Sequence, residues 1–263
     1  MNIAKTLLLT GLILGGVGFA VGSAQAGDAG PSWNGAYAGA SFGYGWDSGK
    51  VGLSPSTDVP ELQGFLDAIN AAGAFPSSIS PSARGAIGGG QAGYNWQLPS
   101  GWIVGVEADL QASGIKGSDT ENRTPDGFDE TATGVSKKVD WFGTLRGRAG
   151  YLVDPQWLVF ATGGLAFGET SLTYSETDVT SGCIVDATIC GDHTASGVRL
   201  GWAAGAGVET MLAPNWSVKA EYLYVDLGER SFSSLAATAP ISFNASAKYH
   251  EQIVQIGLNY HFN

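Results

Sequence analysis

Basic residues are scarce in this chain: 13 Lys and Arg stand against 24 Asp and Glu, for a formal net charge of −11. Phosphate binding needs a basic surface, so this balance argues against nucleic acid as a partner. Long apolar runs are missing as well. After residue 26 none approaches the roughly 20 residues that a membrane-spanning helix requires, so no helix of the mature chain crosses the inner membrane. Cysteine is nearly absent, with only Cys183 and Cys190, both in the polar stretch VTSGCIVDATICGDHT. In an exported protein the expected reading is a disulfide closing a small loop. A metal site using both thiolates with Asp192 or His193 is the alternative, although the spacing matches no zinc pattern. Only three histidines occur, His193, His250 and His261, and no catalytic constellation stands out.

What is present is an export signal and a great deal of glycine, aromatic and scattered apolar sequence. Met1–Ala26 reads as a secretory signal peptide: Lys5 supplies the positive region, Leu7–Ala20 the apolar region, and Ala24-Gln25-Ala26 the small-residue cleavage site. That leaves 27–263 as one domain. Forty glycines, eight tryptophans and 44% hydrophobic residues dispersed by alternation suit a strand-rich protein better than a helical one.

The segment KVDWFGTLRGRAGYLV (138–153) is the clearest case. One alternate set reads Val139, Trp141, Gly143, Leu145, Gly147, Ala149, Tyr151, Val153; the other holds Lys138, Asp140, Thr144, Arg146 and Arg148. On a strand these sets face opposite ways. In WIVGVEADLQA, Trp102, Val104, Val106, Ala108 and Leu110 oppose Glu107, Asp109 and Gln111. Likewise Val198, Leu200, Trp202, Ala204, Ala206 and Val208 oppose Arg199 and Glu209, and Trp216, Val218, Ala220, Tyr222 and Tyr224 oppose Lys219 and Glu221. A sheet with one oily face and one charged face, following an export signal, points to an outer-membrane barrel with the charges inside, since Arg or Lys at the lipid midplane costs about 2–4 kcal/mol. The expected interior ionic network comprises Glu107, Asp109, Asp140, Arg146, Arg148, Arg199, Glu209, Lys219 and Glu221. In an eight-stranded barrel such a network serves as a plug, because the lumen is only wide enough for side chains to fill; an ion path is the rival reading.

Three short turns, each with a proline and followed by tryptophan, set the layout: Pro99 before Trp102, Pro155 before Trp157, and Pro214 before Trp216. Strands are expected near 34–46, 84–97, 102–113, 138–153, 157–170, 197–212, 216–228 and 247–262, with long connections at 47–83, 114–137, 171–196 and 229–246. The result is an all-β, eight-stranded antiparallel up-and-down barrel with three tight periplasmic turns and four long outer loops. Aromatic girdles follow, with Trp33, Trp96, Trp102, Trp157 and Trp216 at the periplasmic end and Trp46, Trp141 and Trp202 at the outer end. Within the first loop, Glu61–Ala72 has a helical period. The loops are acidic, at Asp119, Glu121, Asp126, Asp129, Glu130, Glu176, Asp178, Asp186 and Asp192. They are expected to be a solvated surface, or one that divalent cations bridge to anionic headgroups.

Two motifs carry rival functions and both are weak. Gly88–Gly93 fits GxGxxG, but Tyr94-Asn95-Trp96 and a turn follow it where a dinucleotide site needs a helix. His250 beside Glu251, with a loop serine, is the sole candidate for a lipid hydrolase, and neighbours on a strand face opposite ways. No cofactor site and no enzyme activity are expected.

The last strand, QIVQIGLNYHF, puts Val254, Ile256, Leu258, Tyr260 and Phe262 on one face. It looks like the C-terminal signal read by the outer-membrane assembly machinery. With WNGAYAGASFGYGW, GGGQAGYNWQ, FGTLRGRAGYLV and FATGGLAFG, the chain resembles the Omp25/Omp31-like family of alphaproteobacterial outer-membrane barrels, related in architecture to the transmembrane domain of OmpA. Here Asn263 follows the aromatic at which that family usually stops. The resemblance implies a surface protein of the cell outer membrane that helps maintain the envelope. Its implied partners are outer-membrane lipids and lipopolysaccharide, the assembly machinery, and a host or cell-surface ligand for the loops. A narrow porin-type channel is the alternative. Haem binding, attributed to some relatives, has no paired His/Tyr site to carry it here.

Overall fold

Alternation at period two leaves no helical stripe over most of the chain, and hydrogen-bonded strands are the outcome. The computed structural model describes residues 32–124, 130–179, 191–235 and 240–262. Its strands are β1 (Gly35–Asp47), β2 (Val51–Thr57), β3 (Ser78–Ile79), β4 (Ala83–Gln97), β5 (Trp102–Ser113), β6 (Lys116–Arg123), β7 (Thr131–Asp154), β8 (Trp157–Asp178), β9 (Gly191–Ala213), β10 (Trp216–Leu235) and β11 (Ile241–Phe262). Helix α1 (Pro60–Ala71) lies between β2 and β3, where the helical period of the first loop placed it. The leader at 1–26, both cysteines, Asp126, Asp129 and Asp186 lie outside the described residues.

Eight strands close a ring in the order β1-β4-β5-β7-β8-β9-β10-β11, and β1 pairs antiparallel with both β4 and β11. Closure leaves no edge along the ring, so every backbone group there finds its partner within the protein, as lipid demands. Residues of the apolar sets face outward: Leu110, Leu145, Leu165, Leu200 and Ile256 are all exposed. Trp96, Trp102, Trp157 and Trp216 ring the end with the short turns, and Trp202 lies toward the other.

The strands are longer than the sequence suggested. A tilted strand crosses a bilayer in about 9–11 residues, yet β7 runs for 24 and β8 for 22. Much of what reads as loop at 114–137, 171–196 and 229–246 is therefore ladder: Thr131 still pairs with Asp178, and Glu176 with Gly191. Beyond Glu169 the outward residues of β8 are Ser171, Thr173, Ser175 and Thr177. They retain β-forming chemistry but lack lipid-facing apolar groups, because this rim stands above the bilayer. Strands β2 and β3 extend the rim, β2 pairing with β11 and β3 with β2. Helix α1 buries Leu66 and Ile69 against it.

A bulge in β7 between Val139 and Trp141 reverses the faces of everything beyond it. Below it Phe142, Thr144, Arg146 and Arg148 point inward; above it Lys137 and Val139 do, and Lys138 turns out to solvent. A single register through the whole segment would put Val139 outside and Lys138 inside; the bulge exchanges them.

Candidate functional site

The lumen is the place where polar chemistry concentrates, and it is filled in three tiers. In the middle tier Arg146 uses every N–H it has. One terminal nitrogen meets Glu107 Oε1 at 2.7 Å and Asp109 Oδ2 at 3.0 Å. The other meets Glu221 Oε1 at 2.5 Å and donates to Thr162 Oγ1 at 2.9 Å, while Nε donates to Thr144 Oγ1 at 2.8 Å. Lys219 reaches both oxygens of Glu107 at 2.9 Å and Glu221 Oε2 at 3.3 Å. Tyr37 Oη donates to Glu107 Oε2 at 2.7 Å, and Gln255 Nε2 donates to Glu221 Oε2 at 2.9 Å. Gly93 makes room for this phenol, since a Cβ there would stand 2.5 Å from Tyr37 Oη.

The lower tier is built on Arg148, which pairs with Glu209 and lies 4.1 Å over the Phe160 ring. Ser217 donates to Glu209 Oε1 at 2.5 Å and sits 2.9 Å from His261 Nε2. Asn259 Nδ2 adds a bond to Glu209 Oε1 at 2.8 Å. Beneath lie Ile103, Leu158, Phe160, Met211 and Trp33. Trp33 is 0% exposed, with its indole N–H on the Pro155 carbonyl at 3.1 Å. It therefore closes the periplasmic mouth from within and is not part of the lipid-facing girdle expected of it. The chain enters β1 across that mouth, which is why its first aromatic falls inside.

The upper tier was not foreseen. Lys137 pairs with Asp47 inside the barrel and lies 4.5 Å over the Tyr249 ring. Between that pair and the Arg146 tier the lumen turns largely apolar, with Ile87, Phe142, Leu223 and Ile253 facing in, while Leu172 lies beside Lys137. Lys137 escaped notice because the bulge changes its parity, and Asp47 because it looked like the first loop residue. Inward Phe142 breaks the expected all-polar lining without any change of parity, because hydrocarbon fills much of the lumen between the Arg146 tier and Lys137.

Seven of the nine network candidates are thus gathered, namely Glu107, Asp109, Arg146, Arg148, Glu209, Lys219 and Glu221. The other two stand apart. Asp140, at the bulge, pairs with Lys138 on the outer surface. Arg199 caps the Glu229 carbonyl where β10 bulges at Gly228, whose φ of 77° is a left-handed conformation. Trp46 and Trp141 are half-buried, the latter donating to Glu169 Oε2 at 2.9 Å. Val254, Ile256, Leu258, Tyr260 and Phe262 all face outward on β11. His250 and Glu251 lie on opposite faces, and the His250 ring meets Tyr224 and Asp226. No serine joins them among the described residues.

One supposed surface acid is also inside. Glu176, in the rim, is buried and accepts from Tyr174 Oη at 2.8 Å. Burial pushes its carboxyl up from 4.5 to about 7. Below the usual value folded and unfolded chains both hold the proton; above about pH 7 both lose it, and the folded rim carries the full cost. That difference amounts to at most about 3 kcal/mol. Glu176→Gln should therefore slow amide exchange in 170–178 at pH 8 and change little at pH 5. Equal effects at both pH values would contradict the assignment.

A closed, edge-free cylinder with an oily exterior, aromatic belts and a salt-bridged interior defines a transmembrane β-barrel of the bacterial outer membrane. The chain belongs to the outer membrane protein beta-barrel family, whose domain matches residues 13–262. It is 36% identical over 235 residues to the 31 kDa outer-membrane immunogenic protein of Brucella melitensis, covering 88% of this chain and 84% of that protein. It is 31% identical to the 22 kDa outer membrane protein of Rhizobium leguminosarum bv. viciae, covering 80% and 82%. Among solved structures it aligns with OprG of Pseudomonas aeruginosa at 12% identity and a TM-score of 0.46, covering 88% and 97%. The protein is an outer-membrane, Omp25/Omp31-like barrel.

Proposed function

We propose that this barrel is a structural surface protein with no enzymatic role: it stiffens the envelope and holds an acidic outer region for contact with lipids or with other cells. One observation carries the reading. Arg146 and Lys219 are pinned across the lumen by Glu107, Asp109 and Glu221, between an apolar plug above and Trp33 below. A pathway for ions would have to break that set and wet the hydrocarbon over it, and buried pairs resist losing one partner by about 3–5 kcal/mol. The mature chain would begin after Ala26 and be inserted through the β11 signal.

Planar-bilayer recording on refolded protein tests the proposal. Membranes containing the native barrel should stay silent. Steady unit conductance that changes with Glu107→Ala would replace this reading with that of a narrow channel.

A further inference from the structure

Three of the 13 basic residues stand side by side on the outside of the barrel. Arg84 on β4 pairs in register with Lys116 on β6, and Lys116 pairs with Lys138 on β7. Directly paired residues project from the same face with Cβ atoms about 4.5–5.5 Å apart, and like charges so placed destabilise a sheet. All three are exposed. Lys138 has Asp140 as a partner, whereas Arg84 and Lys116 make no ion pair among the described residues. The row spans about 10 Å across three strands.

Its height on the barrel is informative. Arg84 is the register partner of Trp46, an outward residue of the outer aromatic belt. Trp141, of the same belt, follows Lys138 on β7. Below the row a shallow groove of about 480 Å³ is walled by Leu110, Ala112, Trp141 and Phe167. Gly143 lets the Phe167 wall lie close against the strand, since a Cβ there would stand 2.7 Å from that ring. The groove opens toward the bilayer, and the cations sit at the level of headgroups. Glu169 and Asp140 flank only the β7–β8 end of the row and are engaged by Trp141 and Lys138.

We infer that Arg84, Lys116 and Lys138 form a binding site for the phosphorylated headgroup of an acylated glycolipid in the outer leaflet, one of whose chains lies in the groove beneath. An anion there relieves the repulsion that the register builds in, and a Lys or Arg near an anionic membrane surface contributes about 1 kcal/mol. The site deepens the proposed role in the envelope. It depends on the outward orientation of that end and not on a sealed lumen, so conductance and lipid affinity fail independently.

The test is a titration of refolded full-length protein, in zwitterionic detergent, with dansyl-labelled lipid A bisphosphate read by energy transfer from tryptophan. Arg84→Gln/Lys116→Gln/Lys138→Gln should weaken binding about tenfold or more. Ala112→Trp, which fills the groove, should weaken lipid A while leaving competition by the fully deacylated sugar bisphosphate unchanged. If the triple variant does not refold, Lys116→Gln alone should still lose about threefold. Unaltered affinity in the triple variant, or equal wild-type affinity for dephosphorylated lipid, would overturn the site. Competition by inorganic phosphate as strong as by lipid A would show a bare anion site and overturn the lipid assignment.

Discussion

Arg146→Met is expected to lose about 3–5 kcal/mol of barrel stability, the usual consequence of removing one member of a buried ion pair. The loss arises less from the missing arginine than from the groups left behind. Glu107, Asp109 and Glu221 would face one another with only Lys219 to neutralise them, and Thr144 and Thr162 would lose their donors. Urea unfolding in lipid vesicles, followed by the heat-modifiable shift on gels, measures it. Adding Glu221→Gln should recover part of the loss, because the two residues share one network and their effects do not add. A variant as stable as the native chain would mean that the pairs are not formed.

The neighbouring position should be destabilised by the very group that position 146 requires. Leu145 is 55% exposed, aligned with Leu165, and lies between the Trp141 and Tyr151 belts. Leu145→Arg therefore puts a guanidinium into hydrocarbon near mid-membrane, at a cost of about 2–4 kcal/mol. Leu145→Val should be nearly silent in the same assay. Full tolerance of arginine at 145 would place that face in water.

Much of this architecture is readable from the sequence because lipid imposes a strict period. In β5 every residue from Trp102 to Gln111 faces as the alternation requires, and the carboxylates Glu107 and Asp109 meet the arginines of β7. What escaped the reading has local causes. The extra residue at Asp140 shifts parity without any glycine or proline to announce it, so Lys137 and Val139 went unrecognised as lumenal. Thr170, Leu172, Tyr174 and Glu176 alternate with small polar residues that resemble loop, since a strand above the membrane no longer needs grease on its outer face. The basic row was hidden for another reason. Arg84, Lys116 and Lys138 are dispersed in the chain, and only the register of β6 with its neighbours unites them.

The height of the rim has a consequence for how this protein meets the outside world. From Glu169 to Asp178 the β8 ladder rises about 20 Å once strand tilt is allowed for. The top of the ladder thus stands well clear of the leaflet, as a stiff collar around the outer mouth of the barrel. An antibody or a neighbouring cell would encounter the collar first and the bilayer last.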